Sequence, residues 1–213
     1  NSFCTLLELP NTDPENLMST LLVTASPRYE GSKSRALATK LATGLADKLS
    51  LPLVTRDVAQ LPAVTEGFVN ATFVPPTERT AEQRKALELS DDIVAEAQKA
   101  QVIVLATPMY NFGPAAGLKA WADHLARFGV TFEYTADGKP VGKLTGKRVY
   151  TVVAAGGVTE GAPHDALSPW LKAYMPFVGL GEDHTVIWQV AGAQGAVDKI
   201  DSILADATSA PQS

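Results

Sequence analysis

Apolar residues along this chain follow two rhythms. Short unbroken runs with β-branched residues occur at 21–25 (LLVTA), 102–106 (VIVLA), 149–154 (VYTVVA) and 185–189 (TVIWQ), with a weaker one at 51–57 (LPLVTRD). Runs of this length read as buried strands. Between them apolar positions recur at helical spacing: Ala36, Leu37, Leu41, Leu45 and Leu49, then Leu87, Ile93 and Ala97, then Leu118, Trp121 and Leu125. Ser32 or Ser34 is placed to cap the first of these helices. Thr80 followed by Gln83 forms a capping box for the second, which should end near Ala100. Gly129 is expected at the C′ position of the third. Ser168-Pro169 reads as the N-cap and first residue of a further helix, and 197–207 as a closing one. Residues 60–76 are Pro-rich and irregular, and are read as a long functional or interface loop. Asp137-Gly138 marks a small hairpin in the excursion 130–148.

Strands alternating with helices predict an α/β fold with a parallel sheet, right-handed crossovers and helices on both faces. Five strands suggest the flavodoxin-like order 2-1-3-4-5, a three-layer sandwich. One domain is expected over 18–208, with a frayed tail at 209–213. Met18 opens the run into the first strand, so residues 1–17 are read as a vector-derived or disordered extension; the alternative is an arm packed on the body or on a partner subunit. The one cysteine, Cys4, lies in that stretch. A single cysteine forms no internal disulfide, which fits a reducing cytoplasm.

Composition narrows the function classes. Of the 213 residues 46% are hydrophobic, enough for a full core. The net charge of -5 disfavours nucleic acid and anionic membrane as partners. No apolar run is long enough to span a bilayer.

In open α/β sheets ligands bind beyond the carboxyl ends of the strands. Three segments stand there: SPRYEGSKS (26–34), PMYNFG (108–113) and AGGVTEG (155–161). The first precedes a helix, whose N–H groups and dipole suit an anion. Ser26, Ser32 and Ser34 add hydroxyls, and Arg28 and Lys33 add charge. An ordinary capping loop is the alternative. The second and third suit a flat ring: Met109, Tyr110 and Phe112 as walls, Asn111 at the edge, and Gly156-Gly157 for close backbone approach. Here the alternative is that Met109 and Phe112 fold back into the core. Other chemistries lack their residues. His124, His164 and His184 stand in no metal-ligand pattern, so no metal is expected, and His124 is read as a surface or interface residue. No GxSxG, GxxxxGK[ST] or GxGxxG occurs. A nucleotide cofactor bringing its own reactivity is what an anion loop beside a flat pocket leaves.

The stretch TPMYNFGPAAGLKAWADHLARFGVTFEYTADGKPVGKLTGKRVY resembles the FMN-dependent NADH-azoreductase and NAD(P)H:quinone oxidoreductase family, and the likeness extends from Met18 to the last helix. The resemblance implies a homodimer with FMN near the interface that reduces quinones and azo compounds; the cytoplasm and the lack of nucleic-acid or membrane partners follow from the cysteine count and charge above. NADH or NADPH would donate hydride to flavin N5 in a ping-pong cycle, with no dedicated catalytic side chain. It further implies that Ser26, Ser32, Lys33 and Ser34 hold the phosphate. Pro108, Met109, Tyr110, Asn111 and Phe112 would wrap the ring, with Ala154, Ala155, Gly156 and Gly157 along its edge. Tyr134, Thr159, Tyr174 and Phe177 would border the substrate.

The chain departs from the family pattern in three places. Ala154-Ala155 stands where relatives often have Ser- or Thr-Arg, Thr159 where they often have His, and Pro176 interrupts a helical stretch, predicting a kink or early end. A flavodoxin-like electron carrier or regulator without efficient NAD(P)H turnover is the alternative function.

Overall fold

The computed structural model describes residues 18–207. The expected extension at 1–17 and the expected tail at 209–213 therefore lie outside the described residues. In chain order the elements are β1 (Ser19–Thr24), α1 (Lys33–Leu49), β2 (Leu53–Asp57), α2 (Glu66–Thr72), α3 (Ala81–Lys99), β3 (Ala100–Tyr110), β4 (Gly113–Pro114), α4 (Ala116–Leu125), β5 (Phe132–Tyr134), β6 (Pro140–Gly142), β7 (Arg148–Ala155), α5 (Leu167–Val178), β8 (Asp183–Val190) and α6 (Gly195–Asp206). The parallel sheet runs β2-β1-β3-β7-β8, the expected flavodoxin-like order. β5 and β6 form a separate antiparallel ribbon, where the hairpin was expected.

The unbroken apolar runs follow from burial on both faces. Leu22, Val102, Val104, Val152 and Ile187 point to one side, onto Leu41 and Leu45 of α1 and Ile200 of α6. Leu21, Val23, Ile103, Leu105, Val149 and Val153 point to the other, onto Ile93 of α3, Trp121 of α4 and Leu171 of α5. Ser32 caps α1, accepting the Arg35 N–H. The Thr80–Gln83 capping box opens α3 as read from sequence.

Several sequence expectations need correction. The long loop holds a helix, α2, capped by Thr65, whose Oγ1 accepts the Phe68 N–H at 3.2 Å. Seven residues show too little periodicity to be read as a helix; burial of Phe68 and Ala71 holds them. His124 is buried rather than on the surface: Phe68 packs edge-on to its ring, centroids 5.0 Å apart, and its Nε2 lies 3.1 Å from the Pro62 carbonyl oxygen. The third strand does not stop at Ala106 but runs through Pro108 to Tyr110, because β4 folds back to pair with its end. α4 ends at Leu125 with Ala126 as cap. Gly129, at φ +74°, instead shapes the turn into β5, and its N–H donates to the Phe132 carbonyl oxygen at 2.8 Å.

The start of α5 also differs. Ala166 is its N-cap, and Ser168-Pro169 lie within the first turn. The capping oxygens come from Asp165, which accepts the N–H groups of Leu167 (3.0 Å), Ser168 (2.9 Å) and Gly161 (2.8 Å). Burial raises the Asp165 carboxyl pKa, but these hydrogen bonds outweigh it and hold the group below the usual carboxylate range. Pro176 lies inside α5, which ends two residues later at Val178 with the left-handed Gly179 as its cap. No described helix is long and apolar enough to cross a membrane.

Candidate functional site

The carboxyl ends of β1, β3, β7 and β8 open into one cleft of ≈ 390 Å³. Ser26, Arg28, Gly31, Ser32, Lys33 and Ser34 line one end, and Pro108, Tyr110, Ala154 and Ala155 form apolar walls. Gln189, near the end of β8, and Ala191 and Gly192, just after it, complete it.

The polar end is built from local constraints. Ser26 is buried just past β1, and its Oγ accepts the Arg28 N–H at 3.3 Å. The chain turns at Gly31, where φ is +67°, open only to glycine without strain. It then enters α1, whose first-turn N–H groups at Lys33 and Ser34 have no intrahelical acceptor. The Ser32 and Ser34 hydroxyls lie 3.4 Å apart, so they can converge on one ligand. Such a set fits an anion.

Behind this loop the Arg35 guanidinium makes a fan of bonds. Nε and Nη2 donate to the Ser26 carbonyl oxygen at 3.0 and 2.6 Å, Nη1 to Thr24 Oγ1 at 2.8 Å, and Nη2 to the Asp57 carboxylate at 2.9 Å. The Tyr29 ring lies against the same group, 4.6 Å from centroid to Cζ. Burial pushes the Asp57 carboxyl pKa up, but the Arg35 hydrogen bond and charge and the Ala59 N–H bring it below its ordinary value.

The ring-binding expectations divide. Met109 is half-buried and packs against the core. Asn111 and Phe112 both have positive φ, +48° and +74°, between the paired Tyr110 and Gly113. Two left-handed residues between antiparallel partners make a type I′ hairpin turn. Asn tolerates that conformation, whereas Phe is strained in it. Phe112 is 50% exposed, its ring centroid 5.3 Å from that of His164, and its carbonyl oxygen accepts the Ala166 N–H. The β3–β4 turn is thereby tied to the start of α5. Gly156 and Gly157 follow Ala155 as exposed backbone.

The expected substrate-side residues lie apart from the cleft lining. Tyr134 is exposed on the β5–β6 ribbon, in a patch with Phe128 and Phe132. Tyr174 and Phe177 line a second cleft of ≈ 450 Å³ with Pro140, Trp170, Ala173 and Pro176. Tyr174 stacks on Trp170, centroids 5.3 Å apart, and its hydroxyl donates to the Ala122 carbonyl oxygen at 2.6 Å. Burial, with the Asp123 charge adding to it, raises the pKa of that hydroxyl well above its ordinary value. Thr159 is exposed, its carbonyl oxygen taken by the Ala162 N–H in a turn.

Sequence reasoning missed Gln189. Its Nε2 donates to the carbonyl oxygens of Val190 (2.8 Å) and Ala193 (2.7 Å), so the side chain is held at the cleft wall. The glycine-bearing VAGAQG after the fifth strand was the available signal, since it marks a fourth strand end. Arg35 was missed because its partners are distant in sequence.

A family model described as a flavodoxin-like fold matches residues 18–210. An FMN-dependent NADH:quinone oxidoreductase of Erythrobacter litoralis is 45% identical over 172 residues, which are 79% of this chain and 86% of that protein. One from Bordetella parapertussis is 39% identical over 204 residues, covering 89% of this chain and 97% of that protein. Among solved structures, an azoreductase from Bacillus anthracis superposes with a TM-score of 0.72 at 26% identity, covering 89% of this chain and 94% of that one. With nearly the whole described chain matched by fold and by sequence, the protein belongs to the flavodoxin-like family of FMN-dependent NADH:quinone oxidoreductases.

Proposed function

We propose that the protein is an FMN-dependent NADH:quinone oxidoreductase that also reduces azo compounds, with FMN in the ≈ 390 Å³ cleft. The observation that carries this reading is the continuity of an anion seat with an apolar slot in one cavity. Its size is within the usual range of about 300–1,000 Å³ for small-molecule sites. The residues present fit the group: serine hydroxyls, first-turn N–H groups and Lys33 for a phosphate, and Pro108, Tyr110, Ala154 and Ala155 for a flat ring.

FMN, when bound, supplies the hydride acceptance and two-electron delivery that no side chain here can perform. The chain contributes binding and orientation. Ser26, Ser32, Lys33 and Ser34 hold the phosphate, with Arg28 nearby. Met109, Tyr110, Asn111 and Phe112 border the ring, and Gly156 and Gly157 let the backbone approach its edge. With the group held there, NADH and the acceptor would take turns at this one cleft, a ping-pong order. NADPH is a second candidate donor.

Homodimerisation belongs to this reading. Tyr110, Phe112, Phe128 and Tyr134 are each about half exposed or more, and a second copy would cover such a surface. Tyr134, Thr159, Tyr174 and Phe177 would then border the substrate from the ribbon and α5. Work in the cytoplasm, where NADH is supplied, completes the proposal.

The test is spectroscopic. The purified protein should be yellow, bleach when NADH is added without oxygen, and recolour with a quinone. A yellow protein indifferent to NADH and NADPH would indicate an electron carrier. A colourless protein that FMN cannot reconstitute would sink the reading.

A further inference from the structure

We propose that Arg35 is the positioning residue that sets the loop between β1 and α1 as a ready-made phosphate seat, and so gives the site its preference for a phosphorylated flavin. The proposal rests on the reading that this loop receives the FMN phosphate.

The geometry is specific to arginine. One guanidinium joins the end of β1 through Thr24, the start of the loop through the Ser26 carbonyl, and the end of β2 through Asp57. Tyr29, at the loop tip, packs on it as well. A planar fork with five donors can serve these acceptors together; an ammonium cannot. Ser26 lines the cleft, and two Arg35 N–H groups hold its carbonyl oxygen.

The contribution is positional more than Coulombic. The Arg35 charge is matched by Asp57 at 2.9 Å, so the pair adds little net charge to the seat. Lys33 and Arg28 line the cleft and carry the attraction. Arg35 holds Ser26 and the loop tip in one arrangement before the ligand arrives. Fixing each loop residue that Arg35 holds costs conformational entropy that ligand binding would otherwise have to supply. Releasing one or two loop residues would therefore weaken phosphate binding roughly tenfold to a hundredfold.

The experiment titrates the full-length protein, stripped of flavin, with FMN and with riboflavin, following flavin fluorescence. The unaltered protein should bind FMN more tightly than riboflavin. In Arg35→Lys and Arg35→Ala the FMN affinity should fall at least about tenfold, with riboflavin affinity within about threefold of the starting value. A general loss of structure would weaken both ligands together and leave their ratio unchanged; that result overturns the proposal. So does a ratio unaffected because neither affinity moves. Thr24→Val, which keeps the arginine and its countercharge but removes the acceptor of Nη1, covers the case of unfolded Arg35 variants. It should lower the ratio by a smaller factor, and an unchanged ratio there also counts against the clamp. If the unaltered protein itself shows no preference for FMN over riboflavin, the phosphate-seat reading fails first.

Discussion

Gly142 lies against Gly179 so closely that a Cβ on Gly142 would sit 1.9 Å from the Gly179 amide nitrogen. This contact seats the β5–β6 ribbon on the end of α5. Beside it the Leu144 N–H donates to the Val178 carbonyl oxygen at 3.0 Å. Gly142→Ala should therefore displace the ribbon or the helix end, at a cost of about 1–3 kcal/mol, the usual penalty for overpacking. Gly138→Ala, in the same ribbon, meets no atom within 4 Å but has φ +79°. It should cost about 1 kcal/mol through backbone strain alone. Urea denaturation of both variants checks the order; equal losses would contradict the close-contact account.

Phe112 is held at φ +74° in the turn after β3. Glycine takes that conformation without strain, so Phe112→Gly should leave the unfolding free energy unchanged or raise it by about 1 kcal/mol. On the role proposed for Phe112 beside the flavin ring, FMN binding or quinone turnover should fall at the same time. Thermal unfolding paired with a flavin titration tests this. A variant that is less stable yet fully active would reverse both expectations.

The Tyr174 hydroxyl is committed to the Ala122 carbonyl oxygen at 2.6 Å. Removing it in Tyr174→Phe should lower stability by about 1 kcal/mol, the net worth of one buried hydrogen bond. The ring stays stacked on Trp170, so kcat and KM for quinones should change less than twofold. A large drop in kcat with unchanged stability would make the hydroxyl part of the reaction.

His184 lies on β8 with Nε2 2.9 Å from Thr151 Oγ1, and burial lowers its pKa below the ordinary histidine value. The unfolded chain then binds this proton more readily than the folded one. The associated stability is fully present above about pH 6.5 and is lost as pH falls from there through the folded-state pKa. Unfolding free energies between pH 5 and 8 should show this slope, and His184→Gln should flatten it. A slope of the same size in the variant would assign it elsewhere.

The sheet order, both helix layers and the three principal strand ends were legible because burial on two faces leaves unbroken apolar runs. Ser32 and the Thr80–Gln83 box were legible because capping is local. What escaped depends on distant partners. α2 exists because Phe68 finds His124, more than fifty residues away. The type I′ turn carries Asn-Phe instead of Asn-Gly, so its usual signal was absent. Asp165 displaced Ser168 as capping residue because either spelling suits a helix start, and only the path of the chain decides. Arg35 shows no motif at all; its partners are Thr24, Ser26 and Asp57, gathered from the ends of two strands.

Alanines 154 and 155 form the wall of the cleft at the end of β7, with two glycines after them. Any hydrogen bond that a ligand finds along this edge must come from the main chain. Polarity written in peptide groups is insensitive to which small side chain happens to be attached. This edge can therefore drift in sequence without changing its electrostatic character, provided the path of the backbone is kept. Its weak point is bulk: a larger side chain at either alanine would remove space before it removed charge, and would be felt first by the widest part of the ligand.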